Sequence, residues 1–326
     1  MLVILNPNTS ASFNMAAEEY ILKTFQEDAF MLWQADKTVL IGKNQNTRKE
    51  INVQYVEDHK IKVIRRLSGG GAVYNDLGNT NFAFISTDSG DGFSNFRKFT
   101  APILELLNSL GVPAEFSGRN DLLVNGRKFS GNAQFKHKNR LLHHGTLLFS
   151  SNMELLGKAL SPDMLKFKSK GVTSVKSRVT NIAEHLSEKM TVETFMDKTN
   201  QHILDKFPGS KTYTFRDEDI EAIKKIETNR FANWEWNYGA SPKYNFMNQE
   251  KFPGGLVEIN LEVKNSLIKS AKIYGDFFSQ ADISEVEKAL VGVKHETESV
   301  KQALSAIDLD KYLSGIGLDE MLQLFN

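Results

Sequence analysis

The chain has 326 residues, 40 lysines and arginines balance 40 aspartates and glutamates, and 40% of the residues are hydrophobic. This is an ordinary globular composition with room for one large or two moderate domains, and its zero net charge excludes a global field for nucleic acid or an anionic membrane. The absence of cysteine excludes disulfides, thiolate zinc sites and thiol nucleophiles, and with no basic-then-apolar leader or run of eighteen apolar residues the chain reads as cytoplasmic.

Phe13, Ala16, Ala17, Tyr20, Ile21 and Phe25 recur at helical spacing, and the apolar runs Phe30 to Trp33 and Val39 to Ile41 predict strands, so the order begins helix, then sheet. Asn52 to Lys60 reads as a short helix and Lys62 to Ile64 as a strand. Then Arg65-Arg66-Leu67-Ser68 runs into Gly69-Gly70-Gly71, with strands expected at Ala72 to Tyr74 and Asn81 to Ser86. Three residues without Cβ let backbone N–H groups approach an anion, and the arginines add planar charged donors. Alone, the segment reads equally well as a glycine-rich turn beside two solvated arginines.

Phe96, Phe99, Ile103, Leu106, Leu107 and Leu110 mark a helix face that stops at Gly111, with Pro102 expected in the first turn or at a kink. Leu122 to Val124, Asn125-Gly126 and Phe129 onward predict a β-hairpin, and His143 to Ser150 another strand. Helices at Val192 to Lys206 and Glu218 to Thr228 complete a mixed unit. Near Asn248 the pattern restarts: Val257, Ile259, Leu261 and Val263 alternate, Asn265-Ser266 turns, and Ile268 to Tyr274 returns. A helix capped by Asp282 with Glu285 and ended by Gly292 follows, with further helical stretches to Phe325. The expected class is α/β (α+β), with a mixed-sheet domain over residues 1–247 and a small α+β domain over 248–326.

Lys128 stands out among the polar residues of the hairpin. With Phe129 and Leu123 facing the core, Lys128 faces the other side, toward a cleft; the competing reading is an edge-strand lysine that discourages aggregation. Ser130-Gly131-Asn132-Ala133 offers small side chains for close ligand approach, or a bulge. His143 and His144 are adjacent on a strand, so they point to opposite faces, and no third ligand is spaced to complete a metal site. Ser68, Ser130 and Ser174 lack the nucleophile-elbow glycines, and neither a Walker A nor a G-x-G-x-x-G sequence is present. Lys168 to Asn181 carries four cations with hydroxyls between them, suited to a solvated loop or to one that closes over a nucleotide.

In order, Arg65 to Asn81, Gly118-Arg119-Asn120-Asp121-Leu122, Gly126 to Gln134, His143 to Leu148 and Lys170 to Asn181 closely resemble the motifs of the lipoate-protein ligase family. The resemblance covers about Asn14 to Tyr238, and the remainder resembles the accessory domain of the longer members. It implies the fold shared with biotin-protein ligases, although the biotin-ligase G-R-G-R-x-G-R signature is missing. It also implies activation of lipoate by ATP to lipoyl-AMP and pyrophosphate, then transfer of the lipoyl group to an acceptor lysine with release of AMP. Mg²⁺ is expected through the ATP phosphates.

By the same resemblance Lys128 bridges the lipoyl carboxylate and α-phosphate and later polarises the acyl carbonyl, while Arg66 and the Gly69 to Gly71 amides hold the carboxyl and phosphate end. Ser68, Asn79 and His144 fall with them in the lipoyl-AMP site. The adenylate positions are Gly71, Ala72, Val73, Asn79, Asp121 and Lys128, covered by the loop carrying Gly171, Val172, Ser174, Val175 and Arg178. Asp121, beside Lys128, is the expected base for the incoming lysine. Implied acceptors are lipoyl domains of 2-oxoacid dehydrogenase acyltransferase subunits and the glycine cleavage H protein. In relatives the small domain swings, which places a hinge within Phe246 to Gly254. Asn75 departs from the histidine many relatives carry there, and the missing cysteine closes the thioester route of related acyltransferases. The alternative is a non-catalytic binder of lipoyl-adenylate or of the acceptor.

Overall fold

The computed structural model describes residues 1–88, 90, 92–160, 178–238 and 246–325, and the chain divides into two units. The first comprises Met1–Ile41, Arg48–Arg66 and Ala72–Asn237; the second comprises Gly42–Thr47, Leu67–Gly71 and Tyr238–Asn326.

In the first unit the strands are β1 (Leu2–Leu5), β2 (Ala29–Trp33), β3 (Thr38–Ile41), β4 (Lys62–Arg65), β5 (Val73–Asn75), β6 (Asn79–Thr87), β7 (Ala114–Ser117), β8 (Asp121–Val124), β9 (Arg127–His137), β10 (Arg140–Leu148) and β11 (Lys211–Tyr213). Eight form one mixed sheet in the order β11-β1-β2-β6-β10-β9-β8-β7, parallel from β11 to β2 and antiparallel beyond. A smaller sheet has the order β4-β3-β5. The alternation along β6 explains its two-sided burial: Phe82 and Phe84 face the Phe96–Ser109 and Val192–Lys206 helices, whereas Asn79, Asn81 and Ala83 face the side carrying the Ala11–Thr24 helix. Phe82, Phe99, Ile103, Leu122, Val124, Phe129 and Phe195 make the helix-side core. Each such apolar side chain contributes about 1.5–3 kcal/mol on burial.

The expected elements over 30–41, 52–64, 72–86 and 192–206 are present, but the chain opens with β1 rather than with a helix. Pro102 is buried inside the Phe96–Ser109 helix, past its first turn, and Gly111 (φ +82°) ends it. Asn125 (φ +50°) and Gly126 (φ +72°) make the tight turn between β8 and β9, a conformation that asparagine and glycine tolerate best. One facing is corrected. Leu122 and Val124, rather than Leu123, join Phe129 in the core, and Leu123 stays half-buried.

His143 projects into the helix-side core, stacked on Phe99 at 5.0 Å and hydrogen-bonded to Gln134 at 3.2 Å. Burial, helped by neighbouring His144, holds its pKa well below the usual imidazole value. The sign follows directly: below about pH 6.5 the unfolded chain takes up a proton that the folded chain refuses, so this contribution to stability is full above that pH and declines as pH falls. Melting temperature should therefore drop less steeply from pH 7 to pH 5 for His143→Phe than for the parent. Parallel melting curves would contradict this.

The second unit holds an antiparallel sheet of β12 (Phe246–Phe252), β13 (Gly255–Lys264) and β14 (Leu267–Gly275), of which β12 carried no sequence signal. Asn265 (φ +52°) and Ser266 (φ +60°) turn β13 into β14. Val257, Ile259, Leu261, Ile268 and Ile273 pack with Val286, Leu290, Val300, Leu304 and Met321 of the following helices. Asp282 accepts the Ser284 amide at 3.0 Å, but Glu285 pairs with Lys288 at 2.9 Å and does not complete the expected capping box. Burial would raise the Asp282 carboxyl, yet the Ser284 amide and Lys43 outweigh it and hold the pKa at about 2.

Candidate functional site

The β8–β9 ladder contains one irregularity, and it decides where Lys128 points. Val124 faces Arg127 and Leu123 faces Lys128, but Leu122 faces Ser130 and Asp121 faces Gly131, leaving Phe129 as the extra residue. An uninterrupted strand would put Lys128 on the side opposite to Gly131; the bulge shifts the alternation by one and puts Lys128, Gly131, Leu123 and Asp121 on one face. Lys128 Nζ then reaches Asp121 Oδ1 at 2.7 Å. The amine passes over Gly131, where an added Cβ would lie 3.0 Å from Nζ and 3.1 Å from Cε. Both charged side chains remain more than one-third exposed, so the pair is open to a ligand.

Cross-strand neighbours extend that face. Ser117 faces Asp121, the Gly131 amide donates to Thr146 Oγ1 at 3.2 Å, Thr146 faces Asn81, and Asn81 faces Trp33. His144 lies two residues from Thr146 on the same side and meets buried Glu18 through Nδ1 at 2.7 Å; the Trp33 indole donates to the other Glu18 oxygen at 3.0 Å. Sequence reasoning passed over Glu18 and Trp33. The available signal was a carboxylate in the buried stripe of Asn14, Ala17, Ile21 and Leu22.

The two arginines have separate tasks. Arg65 is held by the carbonyls of Trp236 (2.9 Å) and Asn237 (3.3 Å), and its own carbonyl accepts the Trp236 indole at 2.8 Å, so its guanidinium serves the fold. Arg66 is buried and donates to the Leu40 carbonyl at 3.2 Å. Burial draws its pKa down to about 10, opposed by Glu18 and reinforced by Arg65, which still leaves a cation at neutral pH. Asn75 Oδ1 accepts from Asn79 Nδ2 (2.6 Å) and Asn81 Nδ2 (2.9 Å). Among the described residues, buried Asn75 Nδ2 and Asn79 Oδ1 have no partner, a donor and an acceptor suited to a polar ligand. Ala72 and Val73 are half-buried at the start of β5.

In the second unit the three glycines differ in their reasons. A side chain at Gly69 would strike the Phe277 carbonyl, Gly70 has φ +90°, and a Cβ at Gly71 would meet nothing within 4 Å. Buried Ser68 accepts the Lys43 amide through its carbonyl at 2.8 Å. Gly171, Val172, Ser174 and Val175 lie outside the described residues. Arg178 is exposed, and beyond it Val179 bridges to Lys128 while the Thr180 amide donates to the Lys128 carbonyl at 2.9 Å. The downstream end of the expected covering loop is thus tied to the backbone of Lys128. Among the described residues no three carboxylate or imidazole groups converge as a metal site.

Residues 10–204 match the model of the lipoyl protein ligase A/B catalytic domain, and residues 241–325 match the bacterial lipoate protein ligase C-terminus. The chain is 45% identical over 329 residues to lipoate-protein ligase LplJ of Bacillus subtilis, covering 99% of each chain. It also resembles the crystal structure of P. falciparum LipL1 in complex with lipoate (TM-score 0.81, 24% identity, 99% and 98% of the two chains). A lipoate-protein ligase A bound with ATP matches with a TM-score of 0.64 at 22% identity, covering 73% of this chain and 98% of that one.

Proposed function

The chain belongs to the lipoate-protein ligase family, and from that membership we propose that it joins lipoate to protein lysines at the expense of ATP. We take residues 1–247 as the catalytic part and 248–326 as the accessory part. The observation that carries the reading is the Lys128 amine, turned by the bulge onto the face of Asp121, Thr146, Asn81 and His144 and left accessible beside a carboxylate.

In the first step a lipoate carboxylate oxygen attacks the α-phosphorus of ATP and the bond to pyrophosphate breaks. The carboxylate is already ionised at neutral pH, so no base is needed; what opposes the step is repulsion between anions. Lys128 and buried Arg66 are the fixed cations placed to offset it, and Asn75 Nδ2 with Asn79 Oδ1 supply polar positions for the nucleotide. Mg²⁺, expected with ATP, would be held mainly by the phosphates and would offset part of their charge. In the second step the acceptor lysine amine attacks the acyl carbonyl, polarised by Lys128, AMP leaves, and the amine's proton passes to Asp121. The acceptors are lipoyl domains, including those of 2-oxoacid dehydrogenase acyltransferase subunits and the glycine cleavage H protein. No helix of the described residues is long and apolar enough to cross a membrane, and a chain without cysteine suits the reducing cytoplasm.

Mixing the protein with Mg-ATP and lipoate, without acceptor, should release pyrophosphate in a burst stoichiometric with enzyme and leave bound lipoyl-AMP. Lipoate-independent release, or binding without release, would sink the reading. Gly131→Ala gives a finer check, because the new Cβ displaces only the flexible end of Lys128. The burst should slow by about tenfold with little change in melting temperature; a burst at the parental rate would show that the amine need not lie over Gly131.

A further inference from the structure

We infer that Asn120 and Asn132 are positioning residues that hold the bulged register of β8 and β9 and thereby keep Lys128 and Asp121 on one face, an inference that rests on the ligase reading only for its kinetic consequence. The last regular pair of this ladder is Asp121 with Gly131. At the next position, where the chain before Asp121 turns away through Gly118 (φ +59°), the backbone contributes one bond, from the Asn132 amide to the Asn120 carbonyl. Side-chain amides add the rest. The Asn132 amide N–H and its Nδ2 both donate to the Asn120 carbonyl at 3.0 Å, and Asn120 Nδ2 donates to the Asn132 carbonyl at 2.6 Å. Asn132 Nδ2 also reaches Ser130 Oγ, at 3.2 Å, on the far side of Gly131. Each asparagine therefore grips the other strand's backbone, and one of them grips the residue next to the bulge.

This clamp answers a weakness specific to the site. A bulge removes ladder hydrogen bonds, and a slip of one residue turns every following side chain to the other face. On one side of the Phe129 bulge the register is held by the Asn125-Gly126 turn; on the other side the Leu122–Ser130 and Asp121–Gly131 pairs are closed off by the Asn120–Asn132 clamp, one residue from both Asp121 and Gly131. Phe129 itself is fully buried and anchors the extra residue in the core. Lys128 and Asp121 thus sit between two register locks, and removing one lets the amine leave the carboxylate without unfolding the hairpin. Asn132 is buried, with its Oδ1 against Gly145, so its replacement would also disturb packing; Asn120 is half-buried and is the cleaner position to change.

The test uses Asn120→Ala in the full chain, with two readouts. In protein carrying ¹³C at lysine Cε, the Lys128 resonance, assigned by its loss in Lys128→Arg, should move in Asn120→Ala toward its position in Asp121→Asn. In kinetics, kcat for lipoyl-AMP formation should fall between about ten- and a hundredfold while KM for lipoate and ATP stays within about twofold. In a Lys128→Arg background the same change should add less than about twofold, because its effect passes through the amine. An unmoved Lys128 resonance, an unchanged kcat, or an equal loss in both backgrounds would overturn the inference. If the parent protein forms no lipoyl-AMP, the ligase reading fails by itself, and the resonance still decides whether the clamp positions Lys128.

Discussion

Replacing Lys128 by alanine should lower the rate of lipoyl-AMP formation on the order of a hundred- to a thousandfold, the scale on which removing one preorganised charged donor acts on a transition state. The amine stands on a face fixed by the Phe129 bulge, over a glycine and within 2.7 Å of a carboxylate, so it is oriented before substrate arrives. On the proposed reading its charge acts where negative charge is concentrated, at the lipoate carboxylate and the α-phosphate. Stability should change little, since the side chain is more than one-third exposed and exposed pairs are worth about 0–1 kcal/mol. A burst assay with ATP and lipoate checks this, and a variant with the parental burst rate would remove Lys128 from the chemistry.

The second large effect concerns transfer. An acceptor lysine has an ordinary pKa of about 10.4, so at neutral pH its amine is mostly protonated and cannot attack until the proton leaves. Asp121 is the carboxylate that meets the Lys128 amine, so on the proposed reading it lies beside the acyl carbonyl that Lys128 polarises. Asp121→Ala should slow transfer from preformed lipoyl-AMP to an apo lipoyl domain on the order of a hundredfold. The loss should shrink as pH rises toward the lysine pKa, where solvent removes the proton unaided. Normal transfer from preformed lipoyl-AMP at neutral pH would refute the role of base.

Much of this architecture was legible from local pattern because local physics decides it. The Asn125-Gly126 turn, the Val192–Lys206 helix and the β13–β14 hairpin each carry their own turn residues or periodicity. Strands without an apolar run were not legible: β7 (AEFS) and β11 (KTY) lack the run that marks β3, and β12 is mostly polar. At the site, the exposure of Lys128 opposite Phe129 could be read from alternation. Its sharing a face with Asp121 could not, because that depends on a bulge whose extra residue is an ordinary buried phenylalanine. The arginine pair reads as two equal donors, yet Arg65 is claimed by carbonyls some 170 positions away in sequence, information that no window on the chain contains. The glycines have the same character: Gly69 answers to the Phe277 carbonyl, and Gly131 to the Lys128 side chain. Glu18 was hidden for a different reason, since a carboxylate on an apolar stripe looks like a break in the pattern until Trp33 and His144 are found to satisfy it.

On the proposed function one chain both activates lipoate and transfers it, with Lys128 at the reacting centre. The most direct measurement is the intact mass of an apo lipoyl domain after incubation with the protein, Mg-ATP and lipoate, with Lys128→Ala run in parallel. The acceptor should gain one lipoyl group with ATP present, none without it, and next to none with the variant. An acceptor left unmodified by the parent protein, or modified equally by the variant, would contradict it.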